Sequence, residues 1–434
     1  MGQLLKNRVF KNASWIIACK IGQMIINLVV GMLTARYLGP SYYGIINYAA
    51  SIVAFAVPIM QLGMSNILVQ EIVNNPEKEG ETLGTAITMS VCSSFLCVIG
   101  VFAFVNIANA GESETILVCF LYSFVLIFQA FELIVYWFQA KLLSKYTSIM
   151  MFAAYVVVAA YKINLLATQK SVYWFAASQA IDFALIAFGS IAIYRKLGGQ
   201  RFSFSKYAAK RMFSKSHFYI VSSMMVTIFA QTDKIMIKLM LNNEETGFYS
   251  AAITVAALSS FVYTAIVDSM RPTIFESRKQ SIEKFESRLT LLYSIVIYLS
   301  LAQCAVMTIL AKLIIHILYG TQYMPAASAL QIGVWYTTFS YLGMIRNIWI
   351  LAENKQNYLW KINLSGALAN VLLNYLLIPI MGINGAALAS LITQFFTNVI
   401  IGYIIKPIRP NNAIMVRGIN PHIIINLIRN RKQL

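Results

Sequence analysis

The sequence predicts an all-α membrane protein with about twelve transmembrane helices in two six-helix lobes. Residues are 59% hydrophobic and 12% charged, whereas a soluble chain averages about 25% charged. A helix needs about 20 mostly apolar residues to cross a hydrocarbon core about 30 Å thick. Twelve runs meet this requirement: 14–35, 44–67, 84–107, 115–138, 147–166, 172–194, 217–241, 247–270, 289–311, 326–350, 361–380 and 384–405. They are apolar on all sides, which favours helices over the alternating strands of a barrel.

The basic residues predict the orientation of these helices. With a cytoplasmic N-terminus and twelve spans, 26 of the 34 Lys and Arg residues fall on the inner side. Cytoplasmic loops carry such an excess, and the reversed orientation would place these residues outside. We therefore expect a multi-pass protein of the cell (inner) membrane with both termini in the cytoplasm. The same excess accounts for the net charge of +18 without a nucleic-acid partner.

The first run is expected to remain in the protein as a span. It follows Lys6, Arg8 and Lys11, as a signal peptide would. It is longer than the 7–15 apolar residues of a signal peptide, and no small-residue cleavage site follows it. The cysteines show no metal or disulfide spacing, and we expect them to be buried as small apolar residues: Cys19, Cys92, Cys97, Cys119 and Cys304.

A long inner loop divides the spans into two halves. We predict an N-terminal lobe at 1–194, a basic cytoplasmic linker at 195–216, a C-terminal lobe at 217–405 and a basic cytoplasmic tail at 406–434. "LGPSYYG" at 38–44 and "LNNEETG" at 241–247 each follow the first span of a half. Parallel repeats of this kind commonly hold a transporter's substrate path between them. The end of the tail, "PHIIINLIRNRKQL", fits either an interfacial amphipathic helix or a disordered basic segment.

Several charged residues fall inside predicted spans. A charge near the bilayer centre costs at least about 2.5–3.5 kcal/mol, so such side chains normally face the bundle interior or a watery cavity. A cationic lining for a negatively charged headgroup is one interpretation, and structural pairing between helices is the other. For the acids Asp182 and Asp233 the choice is between ion or proton coupling and interhelical pairing. The interior cations are Lys20, Lys162, Lys234 and Arg346.

Three charges lie close together in "AQTDKIMIKLML", residues 230–241. Lys234 and Lys238 are spaced i, i+4 and share a helix face. Asp233 points about 100° away from Lys234, so we expect it to meet another helix. Lys238 lies nearer the outer end, where it can extend to the interface. Lys234 is therefore the main substrate candidate of the three.

Sequence features of an enzyme are missing. None of the three histidines sits in a metal or triad arrangement, and no glycine-rich phosphate loop of the ATPase type occurs. The predicted outer loops are too short for a platform that grips a large acceptor. We expect no enzymatic activity, no cofactor and no metal.

Five segments in order along the chain resemble the polysaccharide transporter family, the Wzx-type O-antigen and capsule repeat-unit flippases. That family belongs to a superfamily that also holds multidrug exporters and lipid II flippases. Lipid II flippases usually have two further spans, and none is predicted after Lys406. The segments are "ARYLGPSYYGIINYA" (35–49), "ELIVYWFQAKLLSKYTSI" (132–149), "QTDKIMIKLMLNNEETGFYSAA" (231–252), "LYGTQYMPAASALQI" (318–332) and "NYLLIPIMGINGAALAS" (374–390).

The resemblance implies two lobes in a V around a central cavity, like that of MATE transporters. It implies an oligosaccharide linked through pyrophosphate to a polyprenyl lipid, moved to the outer leaflet for lipopolysaccharide or capsule synthesis. Membrane lipids and polymerase machinery are implied partners, with H⁺ or Na⁺ open as coupling ion. The family's "DKIMI" stretch falls on residues 233–237, and the arginine before its "LGP" turn falls on Arg36, which adds a substrate-binding candidate. The alternative is an ion-coupled multidrug exporter of the MATE type, whose cavity should favour acids over bases.

Overall fold

The protein is described by a computed structural model that covers the backbone of residues 2–423 and the side chains of residues 15 and 18–423. Most of the predicted amphipathic tail, residues 424–434, lies outside this part. The side chains of the basic start, Lys6, Arg8 and Lys11, lie outside it as well.

The described chain is almost entirely helical, which confirms the predicted fold class. It contains no β-strand within residues 2–423. The α-helices are α1 Gly2–Met60, α2 Leu68–Asn74, α3 Glu79–Ala108, α4 Ser113–Ser123, α5 Val125–Gln129, α6 Ile134–Ala140, α7 Ser144–Ala167, α8 Val172–Lys196, α9 Lys206–Met240, α10 Asn243–Ala257, α11 Ser260–Gln280, α12 Ile282–Tyr319, α13 Ala326–Ala352, α14 Leu359–Met381, α15 Ile383–Phe395, α16 Ile401–Ile404 and α17 Arg409–Arg417.

Ten helical segments of the described chain are long and apolar enough to cross a membrane. The first, Ala18–Met60, covers most of two of the twelve predicted runs, 14–35 and 44–67. Helix α13 matches the predicted run 326–350 in position but is not among the ten. The count of twelve crossings and the cytoplasmic placement of the termini therefore stay predictions. The other nine segments are Pro76–Ala108, Ser113–Ala140, Ser144–Ala167, Val172–Lys196, Lys206–Met240, Asn243–Gln280, Ile282–Tyr319, Gln356–Met381 and Ile383–Ile404.

The turn sequences at 38–44 and 241–247 interrupt the helices where the sequence predicts. Gly39 has φ 73° and ψ 171° inside α1, and Pro40 follows it. Glycine adopts this left-handed φ without steric cost, so α1 is two helices joined at a kink. Between α9 and α10, the side chain of Asn242 accepts a hydrogen bond of 2.8 Å from the backbone N–H of Glu245. This N-cap satisfies one of the four unpaired donors at the helix start.

The chain divides into two compact units, Met1–Gln231 and Thr232–Leu434. The division falls inside α9, whereas the sequence places a linker at 195–216, so the predicted domain boundaries stay a prediction. In the first unit, buried apolar side chains from α2, α3, α6, α8 and α9 form a core around Leu68, Leu83, Trp137 and Met212. In the second unit, a core forms around Leu289, Tyr341 and Ile345.

Residues of the predicted linker pack against α3 of the first unit. The side-chain oxygen of Gln200 accepts from the backbone N–H of Gly80 at 3.0 Å, and its amide nitrogen donates to the carbonyl of Pro76 at 3.1 Å. The backbone N–H of Ser205 donates to the hydroxyl of Thr85 at 3.0 Å. These bonds hold the segment in one conformation along the start of α3, so it is not a free linker.

A buried carboxylate joins α2 to α9. Glu71 is 5% exposed, and its two oxygens receive Arg211 at 3.0 Å and Lys215 at 2.6 Å. The two cations are spaced i, i+4 and therefore share one face of α9. A second buried acid, Glu79, pairs with Lys141 at 2.7 Å. Five charged residues from the predicted cytoplasmic side thus serve the internal structure of the first unit.

Candidate functional site

Asp233 lies at the centre of a buried polar network in the second unit. Its side chain is 7% exposed. One carboxylate oxygen accepts from the amide of Asn374 on α14, and the other accepts from the hydroxyls of Tyr249 on α10 and Ser390 on α15, each at 2.5 Å. The carboxylate thereby connects α9 with three other helices. Buried polar groups of this kind are costly unless they are hydrogen-bonded, and the network satisfies both oxygens.

All four members of this network occur in segments that carry the family resemblance. Asp233 and Tyr249 lie within residues 231–252, and Asn374 and Ser390 are the first and last residues of the segment 374–390. The helical rotation between Asp233 and Lys234 predicted that Asp233 meets another helix, but the sequence did not identify its three partners. For Asn374 and Ser390, the sequence feature that could have indicated a polar contact was a polar side chain inside an otherwise apolar segment.

Lys234 follows Asp233 and differs from it in environment. Its side chain is half-buried, and no hydrogen bond or ion pair joins it to another residue of the described chain. The nearest charge is Asp233, whose oxygens are already occupied by the three donors. Lys238, assigned from the sequence to the membrane interface, is instead buried, at 5% exposed. The two lysines therefore have distinct surroundings although they share a helix face.

Arg346 on α13 is enclosed, at 4% exposed. Its Nη1 donates to the backbone carbonyl of Thr397 at 2.6 Å, and its Nη2 donates to the side chain of Asn347 at 3.3 Å. Thr397 lies in a π-helical turn, Phe396–Ile400. Such turns displace carbonyls from the regular helical ladder and occur often at functional sites. The guanidinium satisfies one of these carbonyls, so in this conformation Arg346 supports the α15–α16 turn and presents little surface to a ligand.

The first unit contains four candidates: two that lie within electrostatic range of each other and two that are exposed. Asp182 on α8 is 8% exposed, and one of its oxygens is buried without a hydrogen-bond partner in the described chain. Lys162 on α7 is half-buried and lies within electrostatic range of this carboxylate. Lys20 and Arg36, both on α1, are exposed. The predicted site residues thus divide into an Asp182–Lys162 pair, the Asp233–Lys234 neighbourhood, the enclosed Arg346 and two exposed cations of α1.

Within the described residues, no group of three or more His, Cys, Asp or Glu side chains is placed to hold a metal ion. What the second unit offers is a half-buried ammonium group at Lys234 beside a carboxylate that already has its hydrogen bonds. A cation in that position can bind an anionic group without first breaking an ion pair.

Residues 9–278 match the family of polysaccharide biosynthesis proteins. The match covers more than half of the chain. The chain belongs to this family. The first three segments named above for the resemblance lie inside the matched residues, so the resemblance is confirmed at the level of the family.

A curated relative of this polysaccharide biosynthesis protein is an uncharacterized membrane protein, MJ1068, of Methanocaldococcus jannaschii. It is 28% identical over 221 residues, which are 49% of this chain. The aligned part is 43% of the relative's own length, so the chain spans less than half of it.

Two kinds of solved structure share the fold of this polysaccharide biosynthesis protein. One is the lipid II flippase MurJ in an inward closed conformation, with a TM-score of 0.76, 13% identity, and coverage of 96% of this chain and 92% of the flippase. The other is a multidrug resistance MATE family transporter in an inward-facing conformation, with a TM-score of 0.66, 15% identity, and coverage of 90% and 95%. At these identities the likeness establishes the fold alone.

Proposed function

We propose that this protein is a flippase for polyprenyl-pyrophosphate-linked oligosaccharide repeat units. It moves them from the cytoplasmic to the outer leaflet of the cell membrane by alternating access. Membership of the polysaccharide biosynthesis family supports this substrate class, and the fold shared with a lipid II flippase supports this kind of movement. The sugar, the pathway (O-antigen, lipopolysaccharide or capsule) and any coupling ion or polymerase partner are further parts of the proposal.

The observation that carries the proposal is the half-buried Lys234 with no bonded partner in the described chain. An uncompensated cation in a membrane helix is costly, and a diphosphate headgroup would compensate it. The neighbouring Asp233 cannot take this role fully, because Tyr249, Asn374 and Ser390 already occupy its oxygens. Charge-assisted hydrogen bonds from lysine to phosphate are among the stronger polar contacts.

The other candidate cations receive different parts in this proposal. Lys162 is a second headgroup ligand, held near Asp182 until the substrate replaces the carboxylate as its counter-charge. Lys20 and Arg36 are exposed on α1 and act as outer contacts for the anionic headgroup. Arg346 is enclosed by Thr397 and Asn347, so it reaches the substrate only in a state in which that contact has opened. Asp182 and Asp233 are the candidates for ion or proton coupling.

Reconstitution into liposomes tests the proposal. The substrate is a fluorescent polyprenyl-diphosphate oligosaccharide, and a membrane-impermeant quencher reports how much of it is exposed on the outside. We expect the quenched fraction to rise with time only in liposomes that contain the folded protein. Movement equal to that in protein-free liposomes would contradict the proposal. Movement of cationic dyes in place of the lipid would favour the multidrug-exporter alternative.

A further inference from the structure

A cavity lies within the first unit between the second part of α1 and the amino-terminal part of α9. Its volume is about 300 Å³, and every residue that lines it is uncharged. It is separate from all the charged candidates described above. At the lower end of the about 300–1,000 Å³ typical of small-molecule sites, it has room for a small headgroup unit.

Two hydrogen bonds join the α1 segment to α9 next to the residues that line the cavity. The hydroxyl of Ser51 donates to the side-chain oxygen of Gln231 at 3.0 Å, and the hydroxyl of Ser216 donates to the carbonyl of Leu62 at 2.7 Å. Next to the second bond, Gly63 has φ 68°, and a Cβ there would lie 2.3 Å from the carbonyl oxygen of Ser216. Only glycine tolerates both the left-handed φ and this approach. The segments on the two sides of the cavity are therefore joined by defined contacts of the fold.

The walls present hydrogen-bonding groups that the protein itself leaves unused. Pro58 has no N–H, so the helical bond that the carbonyl of Ala54 would accept from it is missing, and both residues line the cavity. The side chains of Gln61 and Ser223 also line it, and neither is hydrogen-bonded to another residue of the described chain. The hydroxyl of Thr227 donates to the carbonyl of Ser223 at 3.1 Å, which leaves its oxygen free to accept.

We propose that this cavity binds an uncharged sugar ring of the lipid-linked substrate. The available groups are the side-chain amide of Gln61, the hydroxyl of Ser223, the oxygen of Thr227 as an acceptor and the carbonyl of Ala54, which match the mixed donors and acceptors of sugar hydroxyls. The ring of Pro58 supplies an apolar surface for the carbon face of a sugar. A diphosphate would find no cation here, so the cavity is a sugar subsite distinct from the headgroup cations. This inference rests on the proposed function, since it assigns the place where part of that substrate binds.

Two adjacent serines of α9 provide a matched test. Ser223 lines the cavity, whereas Ser222 does not line it and is exposed. Ser223→Phe would fill the space, and Ser222→Phe places the same side chain one position away. Each variant is reconstituted and tested with polyprenyl diphosphate carrying one hexose and with bare polyprenyl diphosphate.

We expect Ser223→Phe to slow transport of the hexose-bearing lipid about tenfold, because several hydrogen bonds to the sugar are lost together. Transport of the bare diphosphate lipid should change less than twofold, and Ser222→Phe should behave as wild type with both lipids. An equal loss with both lipids, or no loss with either, would overturn the sugar subsite. If the wild-type protein moves neither lipid, the proposed function fails before the subsite is reached.

A smaller change protects the test against misfolding of the phenylalanine variant. Gln61→Leu keeps the approximate volume but removes the amide, and Gln61→Asn keeps an amide on a shorter side chain. We expect Gln61→Leu to raise the half-saturating concentration of the hexose-bearing lipid about fivefold. Gln61→Asn should stay closer to wild type. Equal behaviour of the two variants would show that the amide makes no contact with sugar.

Discussion

The side-chain amide of Asn374 donates a hydrogen bond of 2.5 Å to Asp233, although the two residues are 141 positions apart in the chain. With Tyr249 and Ser390 bound to the other carboxylate oxygen, the contact ties the end of α9 to the interior of the second unit. Within the described residues, three donors and no bonded cation surround this acid. A carboxylate in such a position sets the packing of its helices, and it also leaves the adjacent lysine available to another anion.

Asp233→Asn should destabilise the second unit strongly. An asparagine has one acceptor oxygen where the carboxylate has two, so at least one of the three hydrogen bonds must be reversed or lost, and unsatisfied buried groups cost about 1–3 kcal/mol each. We expect a loss of about 3 kcal/mol, seen as a lower thermal unfolding midpoint of the purified protein in detergent. The matched control is Asp268→Asn, because Asp268 has a half-exposed side chain in an ion pair with Arg271. Such exposed pairs contribute about 0–1 kcal/mol, so an equal effect of both changes would contradict the role of the network.

The sequence predicted the helices and the general position of the site better than its contacts. Periodicity placed Asp233 on a different face from Lys234, which followed from the helical rotation per residue alone. The partners Asn374 and Ser390 depend on which helices pack together, and nothing in one sequence reports a contact across 141 or 157 positions. The burial of Lys238 was missed for the same reason, because depth along a span was the only guide to its environment.

Lys234 and Lys238 should respond differently to alanine. Lys234 is half-buried without a bonded partner in the described chain, so Lys234→Ala should leave folding intact and slow flipping of the lipid-linked oligosaccharide about tenfold or more, as expected for a lost charged hydrogen bond. Lys238 is buried, so Lys238→Ala should lower the unfolding midpoint. Transport rates and detergent unfolding curves measured on the same preparations check both expectations. Wild-type transport by Lys234→Ala, at equal protein levels, would remove this residue from the substrate site.

Glu71→Gln should loosen the start of α9, where Arg211 and Lys215 bind the carboxylate. A neutral amide cannot hold Arg211 and Lys215 as the carboxylate does, and breaking a buried ion pair from one side costs about 3–5 kcal/mol. Because both cations are partly exposed, we expect a smaller loss of stability, about 1–2 kcal/mol. Limited trypsin digestion should then cut faster after Arg201, Lys206 and Arg211. Glu77→Gln, an exposed acid on the short turn after α2, is the control, and equal cleavage of the two variants would show that the Glu71 pairs do not hold this segment.

The sequence could not predict this arrangement, since a run of basic residues between two sets of spans indicates a cytoplasmic loop and nothing more. Glu71 and Glu79 fall between the predicted runs 44–67 and 84–107, where nothing in the sequence marks an acid as buried. Only the fold shows that both are buried and paired with cations from later in the chain. Positive charges that orient a membrane protein can therefore serve its internal packing at the same time.

Asp182 and Lys162 should behave as a coupled pair. Asp182 is buried and one of its oxygens has no hydrogen-bond partner in the described chain, so the charge of Lys162 on α7 is its main compensation. Lys162→Met removes the positive charge that acts on this buried carboxylate and should destabilise the first unit. Because Lys162 is half-buried and forms no ion pair with Asp182 within the described residues, we expect a loss smaller than the about 3–5 kcal/mol of a broken buried ion pair. Adding Asp182→Asn removes the stranded charge, so the double variant should be more stable than Lys162→Met alone.

The size of this recovery measures the coupling, for which contacting residues give about 0.5–3 kcal/mol. Unfolding midpoints of the wild type, both single variants and the double variant complete the cycle. Additive effects would mean that the two side chains do not compensate one another. Transport gives the independent readout: if Lys162 also binds the substrate diphosphate, the double variant recovers stability but not flipping. Recovery of both stability and flipping would assign Lys162 a structural role only. Binding of the headgroup would then depend on Lys234.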